Sequence, residues 1–206
     1  YNTQEASGQN MTTIATKTAC NWIMRHQTQH KAFKFLTESN FNGDKNAAYR
    51  STILGRGHKV IASAEINKKI FKRTLQLTPE EYIRSDESRS LGSQLAGING
   101  HHMHLANALA AIYIATGQDA ACVIENAIGT FSNELSEEGN LVSSLTLPSL
   151  TIGTIGGGTK LPQQNKSLSM LGCHGQNSSK KFAEIIAAAC LGLELSLGAA
   201  VVSNQF

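Results

Sequence analysis

Residues 97–122 read Gly-Ile-Asn-Gly-His-His-Met-His-Leu-Ala-Asn-Ala-Leu-Ala-Ala-Ile-Tyr-Ile-Ala-Thr-Gly-Gln-Asp-Ala-Ala-Cys. From 103 to 116 the run is almost wholly Ala, Leu and Ile, with no polar face, which predicts a helix buried on all sides. Polar residues crowd both ends. Asn99, His101, His102, His104 and Asn107 precede or open the apolar run, and Gln118 and Asp119 follow Gly117, a glycine placed where a helix stops. A carboxylate just past the end of a buried helix faces the negative end of its dipole. Asp119 therefore calls for a lysine or arginine from elsewhere in the chain.

The composition bounds what surrounds this helix. Apolar residues make up 41% of 206, enough for a substantial core in one domain or one domain and part of another. A net charge of +3, dispersed and without an accompanying motif, does not point to nucleic acid. Cys20, Cys122, Cys173 and Cys190 lie far apart without metal-ligand spacing, which reads as free thiols in a reducing compartment. The sequence opens on Tyr1 without a Met or a basic-then-apolar leader, so it reads as an excerpt or a processed product. Residues 182–202 are apolar but carry Glu184 and Glu194, which favours a buried helix over a membrane span.

Outward from the central helix, the pattern mixes helices and strands, an α/β or α+β class. Helices are expected at 11–27, 47–54, 67–77, 163–171 and 179–203. Another starts at Thr78-Pro-Glu-Glu, where Thr caps, Pro opens the first turn and acids follow. Strands are expected at 32–36, 58–66, 123–128 and 141–147, with 133–140 an exposed acidic connection.

Three places carry candidate chemistry. Thr154-Ile-Gly-Gly-Gly-Thr159 follows an apolar run. Its glycines let backbone N–H groups approach an anion, and Thr159 adds a hydroxyl; a tight structural turn is the other reading. Residues 5–10, Glu-Ala-Ser-Gly-Gln-Asn, precede a helix whose N-terminus suits a phosphate or ribose, or is simply capped by Ser7 or Asn10. Gly43-Asp-Lys-Asn46 places Lys45 in a loop, with Gly55-Arg-Gly57 behind it. A lysine there is usually solvated; held beside Asp119 it would stay charged and could stabilise an oxyanion. His101, His102 and His104 look like a metal cluster, but only His101 and His104 have helical spacing and no carboxylate is close in sequence. They are read as hydrogen-bonded structural histidines, and no metal is expected.

Taken together, these motifs resemble those of the HMG-CoA reductase (3-hydroxy-3-methylglutaryl-coenzyme A reductase) family. The resemblance runs through nearly the whole chain. It is carried by Asp44-Lys-Asn-Ala-Ala48 with Gly55-Arg-Gly57, by Met103-His-Leu-Ala-Asn107 leading into Gly117-Gln-Asp119, and by Leu147-Pro-Ser-Leu-Thr-Ile-Gly-Thr-Ile-Gly-Gly-Gly-Thr159 followed by Leu-Pro-Gln-Gln164. Glu194-Leu-Ser-Leu197 completes the order.

The resemblance implies reduction of a thioester to an alcohol by two hydrides from NADPH, or NADH, giving mevalonate and free CoA. It implies that Lys45 polarises the carbonyl, with Asp119 as its carboxylate partner. Asp44, Asn107 and Arg89 would contact substrate, Arg89 standing where the family has a lysine. Glu5, Ala6, Ser7, Gly8, Gln9 and Asn10, with Glu5 in place of the usual Asp, and Gly156, Gly157, Gly158 and Thr159 would hold the cofactor. Residues 1–38 would close a small ferredoxin-like nucleotide-binding domain, and 39–206 would form part of a large catalytic domain around the buried helix. The family's glutamate is expected before Tyr1 and its histidine after Phe206. A cytoplasmic homo-oligomer is implied, its active site at the dimer interface, with no membrane segment in this stretch. A non-catalytic relative or nucleotide-binding scaffold is the alternative. An unbroken helix would leave Asn107 and Asp119 about 18 Å apart, so both can serve one site only if the chain turns near Gly117 or a second subunit contributes.

Overall fold

In the computed structural model, which describes residues 1–27 and 34–205, three antiparallel strands form a sheet covered by helices. The strands are β1 (His58–Ile66), β2 (Thr130–Leu135) and β3 (Leu141–Leu150), in the order β1-β3-β2. β3 buries Leu141, Ser143, Leu145 and Leu147 on one face, then both faces from Pro148 to Leu150. The long helix α8 (Ser178–Val202) packs across β1 and β3. It contributes Phe182, Ile186 and Cys190, all fully buried. By length and composition α8 could cross a membrane, but it is seated on the sheet and carries the buried Glu194. Mixed helix and sheet is thus the class, and the three strands pair with one another antiparallel.

The remaining helices are α1 (Gln9–His26), α2 (Tyr49–Leu54), α3 (Lys68–Leu75), α4 (Pro79–Leu95), α5 (Leu105–Thr116), α6 (Val123–Asn126) and α7 (Pro162–Met170). Their starts follow local rules. Asn67 caps α3 by accepting from Lys69 N–H, and Thr78 and Glu81 form the reciprocal capping box that opens α4. α8 begins differently. Asn177 has φ +60 and offers no side-chain cap, and the carboxylate of Glu5 takes its place. Glu5 accepts from Asn177 N–H at 2.8 Å, Ser179 N–H at 2.7 Å and Ser178 Oγ at 3.1 Å.

These bonds, led by that from Ser179 N–H, hold the Glu5 carboxyl below its usual value. Glu5→Ala is expected to cost about 1 kcal/mol of stability, the usual worth of a cap. A lowered carboxylate pKa contributes stability above the ordinary glutamate value and loses it as pH falls through the lowered one. The gap in thermal midpoint between wild type and Glu5→Ala should therefore be full at neutral pH and close in acid.

Several expectations need correction. α5 is not buried on all sides: Leu105, Ala108, Leu109, Tyr113 and Thr116 face the core, while Ala111, Ile114 and Ala115 are open. An alanine-rich face loses little by exposure, so composition could not distinguish the two sides. The strand expected at 123–128 is instead α6. Asp119 caps a 3₁₀ turn, Ala120–Cys122, whose winding continues through Val123 and overrides the β-branched pair that suggested a strand. The connection at 133–140 is partly strand, since β2 pairs Asn133 with Ser143 and Leu135 with Leu141 before turning at Gly139. Of the strand expected at 32–36, residues 32 and 33 lie outside the described residues and 34–36 are not strand. None of the residues of α1 is buried, its stripe of Ile14, Trp22 and Ile23 included.

Candidate active site

The site begins where α5 ends. Gly117 takes φ +72 and turns the chain; its Cα packs so closely on the backbone of Gly158 that a Cβ would lie 2.3 Å from the Gly158 carbonyl oxygen. Gln118 then pairs with Gly153, donating through Nε2 to its carbonyl and accepting its N–H, each at 2.9 Å. This ties the end of α5 to the segment entering the glycine loop. Asp119 follows, and the turn changes its electrostatic setting. Its Oδ1 accepts the N–H of Ala121 at 3.1 Å, so it caps the next helical turn at the positive end of that turn's dipole.

The cation that Asp119 needs is Lys45. Its Nζ lies 3.1 Å from Asp119 Oδ2, with both side chains partly open to solvent at 44% and 33%. The hydrogen bond to Asp119, aided by its charge, raises the Lys45 pKa above the usual lysine value. Burial opposes ionisation of Asp119, but the Lys45 hydrogen bond, the Ala121 N–H and the lysine charge outweigh it and lower its pKa. The two shifts agree: the pair is ionised across the whole range between ordinary aspartate and ordinary lysine titration.

Behind Lys45 lies a second ionic layer. Arg56 Nη1 lies 2.6 Å from Asp44 Oδ1 and 2.6 Å from Glu125 Oε2, and Glu125 is fully buried. Glu125 Oε2 also accepts the backbone N–H of Lys45 at 3.0 Å. Burial pushes the Glu125 pKa up against the pull of these donors. Burial likewise opposes the charge on Arg56, yet its carboxylate partners raise its pKa. A guanidinium keeps its proton, so Arg56 stands as a cation between the two carboxyl groups. Gln9 Nε2 donates to Asp44 Oδ1 at 3.2 Å and lies 3.2 Å from Cys122 Sγ, where burial raises the thiol pKa. Asp44, Cys122 and Glu125 approach one another closely enough to suggest metal ligation, but Arg56 Nη1 already sits between the two carboxylates, 2.6 Å from each.

Two motifs far apart in sequence meet beside this pair. Thr154 N–H donates to Glu5 O at 2.8 Å, and Ala6 bridges Ile155. A cleft of about 370 Å³ results, lined by Ser7, Gln9, Asp119, Gly156, Gly157 and Thr159 among others. Gly156 and Gly157 have positive φ and nothing within 4 Å of where a Cβ would stand, so bare backbone faces open space. Such a cradle fits a phosphate-bearing cofactor. Gly158 is different, pressed onto Gly117. The Thr159 hydroxyl is committed to the turn, donating to Gly156 O at 2.6 Å. Gly8, at φ +79, precedes α1 as its cap, and Asn10 is exposed in its first turn.

The structure does not bring every expected residue here. Asn107 is exposed near the other end of α5, its Nδ2 3.0 Å from His104 Nδ1. Arg89 pairs with Asp86 at 3.0 Å and lies over the Tyr82 ring, near the start of α5. Asp86 also meets His101 Nε2 at 3.0 Å, and His102 is largely buried, which lowers its pKa. Glu194 accepts the N–H groups of Met103 and His104 ahead of α5. The sequence reading gave no role to Glu125, Arg56 or Glu194. The signal for both glutamates was a carboxylate inside an apolar run, which implies a buried charge with a partner.

A lysine ammonium is thus fixed by a carboxylate that itself lines a cleft shared with a glycine cradle, an arrangement able to polarise a carbonyl beside an anionic cofactor. The chain belongs to the hydroxymethylglutaryl-coenzyme A reductase family, whose model matches residues 1–206. It is 37% identical over 208 residues to the 3-hydroxy-3-methylglutaryl-coenzyme A reductase of Methanocaldococcus jannaschii, covering all of this chain and 51% of that protein. It is 40% identical over 211 residues to the enzyme of the same name from Aeropyrum pernix, covering all of this chain and 50% of the relative. With the fungal reductase of Phycomyces blakesleeanus it shares 36% over 213 residues, covering 98% of this chain and 18% of that protein. The chain thus spans about half the length of the archaeal relatives it matches.

Proposed function

We propose that the complete protein reduces 3-hydroxy-3-methylglutaryl-CoA to mevalonate and CoA in isoprenoid precursor synthesis, with NADPH as the reductant. The observation that carries this is the 3.1 Å pair of Lys45 with Asp119, a carboxylate that lines the glycine-bearing cleft. When bound, the nicotinamide supplies hydride, and the residues of this chain do the rest. Lys45 points its ammonium at the carbonyl oxygen and stabilises the negative charge that develops there, first at the thioester and then at the aldehyde. Asp119 holds that ammonium charged and aimed. Asp44, fixed by Arg56 and Gln9, offers its carboxylate to the hydroxyl end of the substrate. Residues 5–10 and 156–159 bind the cofactor, Glu5 acting through its backbone and through its hold on α8.

The same proposal takes residues 1–38 as the end of a small ferredoxin-like nucleotide-binding domain and 39–206 as part of the large catalytic domain. It also takes the enzyme as a cytoplasmic homo-oligomer with its active site at a subunit interface. Asn107 and Arg89 lie away from Lys45 within one chain, which is where a second subunit would add them. The four cysteines are free, as a reducing compartment allows.

Two measurements test the reading. Titration of the complete protein with CoA and with NADPH should show binding of both; nucleotide binding without CoA binding would leave only a glycine-loop phosphate site. Asp119→Asn removes the group that raises the Lys45 pKa. The ammonium is then lost at lower pH, so the alkaline limb of the kcat profile should move toward neutrality. An unmoved limb with normal kcat would remove Asp119 from the mechanism.

A further inference from the structure

We propose that Glu125 is a positioning residue for Lys45, gripping the lysine by its backbone while Asp119 grips it by its side chain. The inference rests on the reading of Lys45 as the carbonyl-polarising group. Asp119 and Glu125 stand at the two ends of one short helical segment, the 3₁₀ turn followed by α6. Asp119 meets the Lys45 ammonium at 3.1 Å, and Glu125 Oε2 meets the Lys45 N–H at 3.0 Å.

The backbone needs such a hold. Lys45 has φ +57, a left-handed conformation that L residues other than Asn and Asp seldom take. Its loop sits between Gly43 at φ +74 and the short helix α2; within it Asn46 donates its N–H to Gly43 O and its Nδ2 to Asp44 O, and neither bond reaches Lys45 itself. Glu125 also reaches the residue before. Arg56 Nη1 bridges Glu125, at 2.9 Å and 2.6 Å to its two oxygens, and Asp44, at 2.6 Å. One buried carboxylate therefore fixes Lys45 directly and Asp44 through a guanidinium. Because Glu125 is fully buried, it does not reach the cleft and acts only through these neighbours. Asn126 anchors the clamp, donating to Ser149 O in β3 and accepting from Thr151. The segment that aims the ammonium is thereby joined to the sheet.

The test is a double-variant cycle on the complete protein, read as kcat normalised to the folded fraction. Glu125→Gln keeps the shape and an acceptor but removes the charge that holds Arg56. Glu125→Asp keeps the charge and withdraws it by one methylene. Each is expected to lower kcat by roughly ten- to a hundredfold, the scale of a small misplacement of a reacting group, with the KM for NADPH unchanged. In a Lys45→Ala background, measured by single turnover, the same substitutions should change the residual rate less than about twofold, because there is no ammonium left to misplace. Equal losses in both backgrounds would make Glu125 a structural residue and overturn the proposal, as would normal kcat in both variants or a loss confined to the folded fraction. Normal turnover in Lys45→Ala itself would instead remove the functional reading beneath it.

Discussion

Lys45→Ala is expected to lower the kcat for thioester reduction by about 10²–10³-fold, the usual cost of removing a preorganised donor from a developing oxyanion. Folding should change little. The side chain is 44% exposed and its ionic partner Asp119 is itself partly solvated, so the pair contributes little to stability. Substrate binding should weaken less than kcat falls, because the ammonium matters most as charge builds on oxygen. Steady-state kinetics on the complete protein, with circular dichroism to verify folding, separates these effects. Lys45→Arg is not a conservative rescue: a planar guanidinium cannot replace a compact ammonium, and we expect most of the loss to persist.

The largest effect on stability is expected at Asn126. It is fully buried, and its Oδ1 accepts from Tyr113 Oη, Thr151 N–H and Thr151 Oγ, while its Nδ2 donates to Ser149 O. One side chain thus joins α5, α6 and the end of β3. Tyr113 is itself fully buried, and burial raises its hydroxyl pKa well above the usual range. Asn126→Ala would strand its hydroxyl and the Thr151 N–H without water. Each unpaired buried group costs about 1–3 kcal/mol, so a loss of roughly 3–5 kcal/mol is expected. Asn126→Asp keeps the acceptors but buries a charge, and we expect it to be no better. Denaturant unfolding measures both. A loss under about 1 kcal/mol for Asn126→Ala would mean that this polar hub does not hold α5 to the sheet.

Much of this architecture was legible in the sequence. β1 and the capped start of α4 follow from the strand character of residues 58–66 and from Thr78-Pro-Glu-Glu, and α8 was expected within one residue at each end. The demand of Asp119 for a cation was legible too, and Lys45 was the candidate. What the sequence hid was the second role of Asp119 as a cap, because that depends on where the chain turns at Gly117. It also hid α6, whose Val123-Ile124 pair favours a strand locally while Asp119 and the packing around Glu125 and Asn126 favour a helix. The open face of α5 was illegible because alanine is compatible with either side of a surface. Glu125 was overlooked for a similar reason: its partners, Arg56 and the Lys45 N–H, come from sixty-nine and eighty residues away, and no local pattern joins them.

The resemblance supplied the residue roles, and the geometry bears on them unevenly. The Lys45 loop, Asp119, the segment at 5–10 and the glycine loop converge in one region of one chain. Arg89 and Asn107 do not, and their roles rest on the proposed assembly. Glu5 differs again, since its carboxylate caps α8 and leaves its backbone carbonyl, which accepts from Thr154, to tie the two cofactor segments together.

The central claim is that this chain belongs to an enzyme taking a thioester down to an alcohol at Lys45. It is tested most directly by the stoichiometry of NADPH oxidised per 3-hydroxy-3-methylglutaryl-CoA consumed by the purified complete protein. Conversion of a thioester to an alcohol needs two hydrides, so the account predicts two NADPH oxidised and one CoA thiol released for each mevalonate formed. Absence of any substrate-dependent NADPH oxidation, or one hydride per substrate with release of an aldehyde, would contradict it.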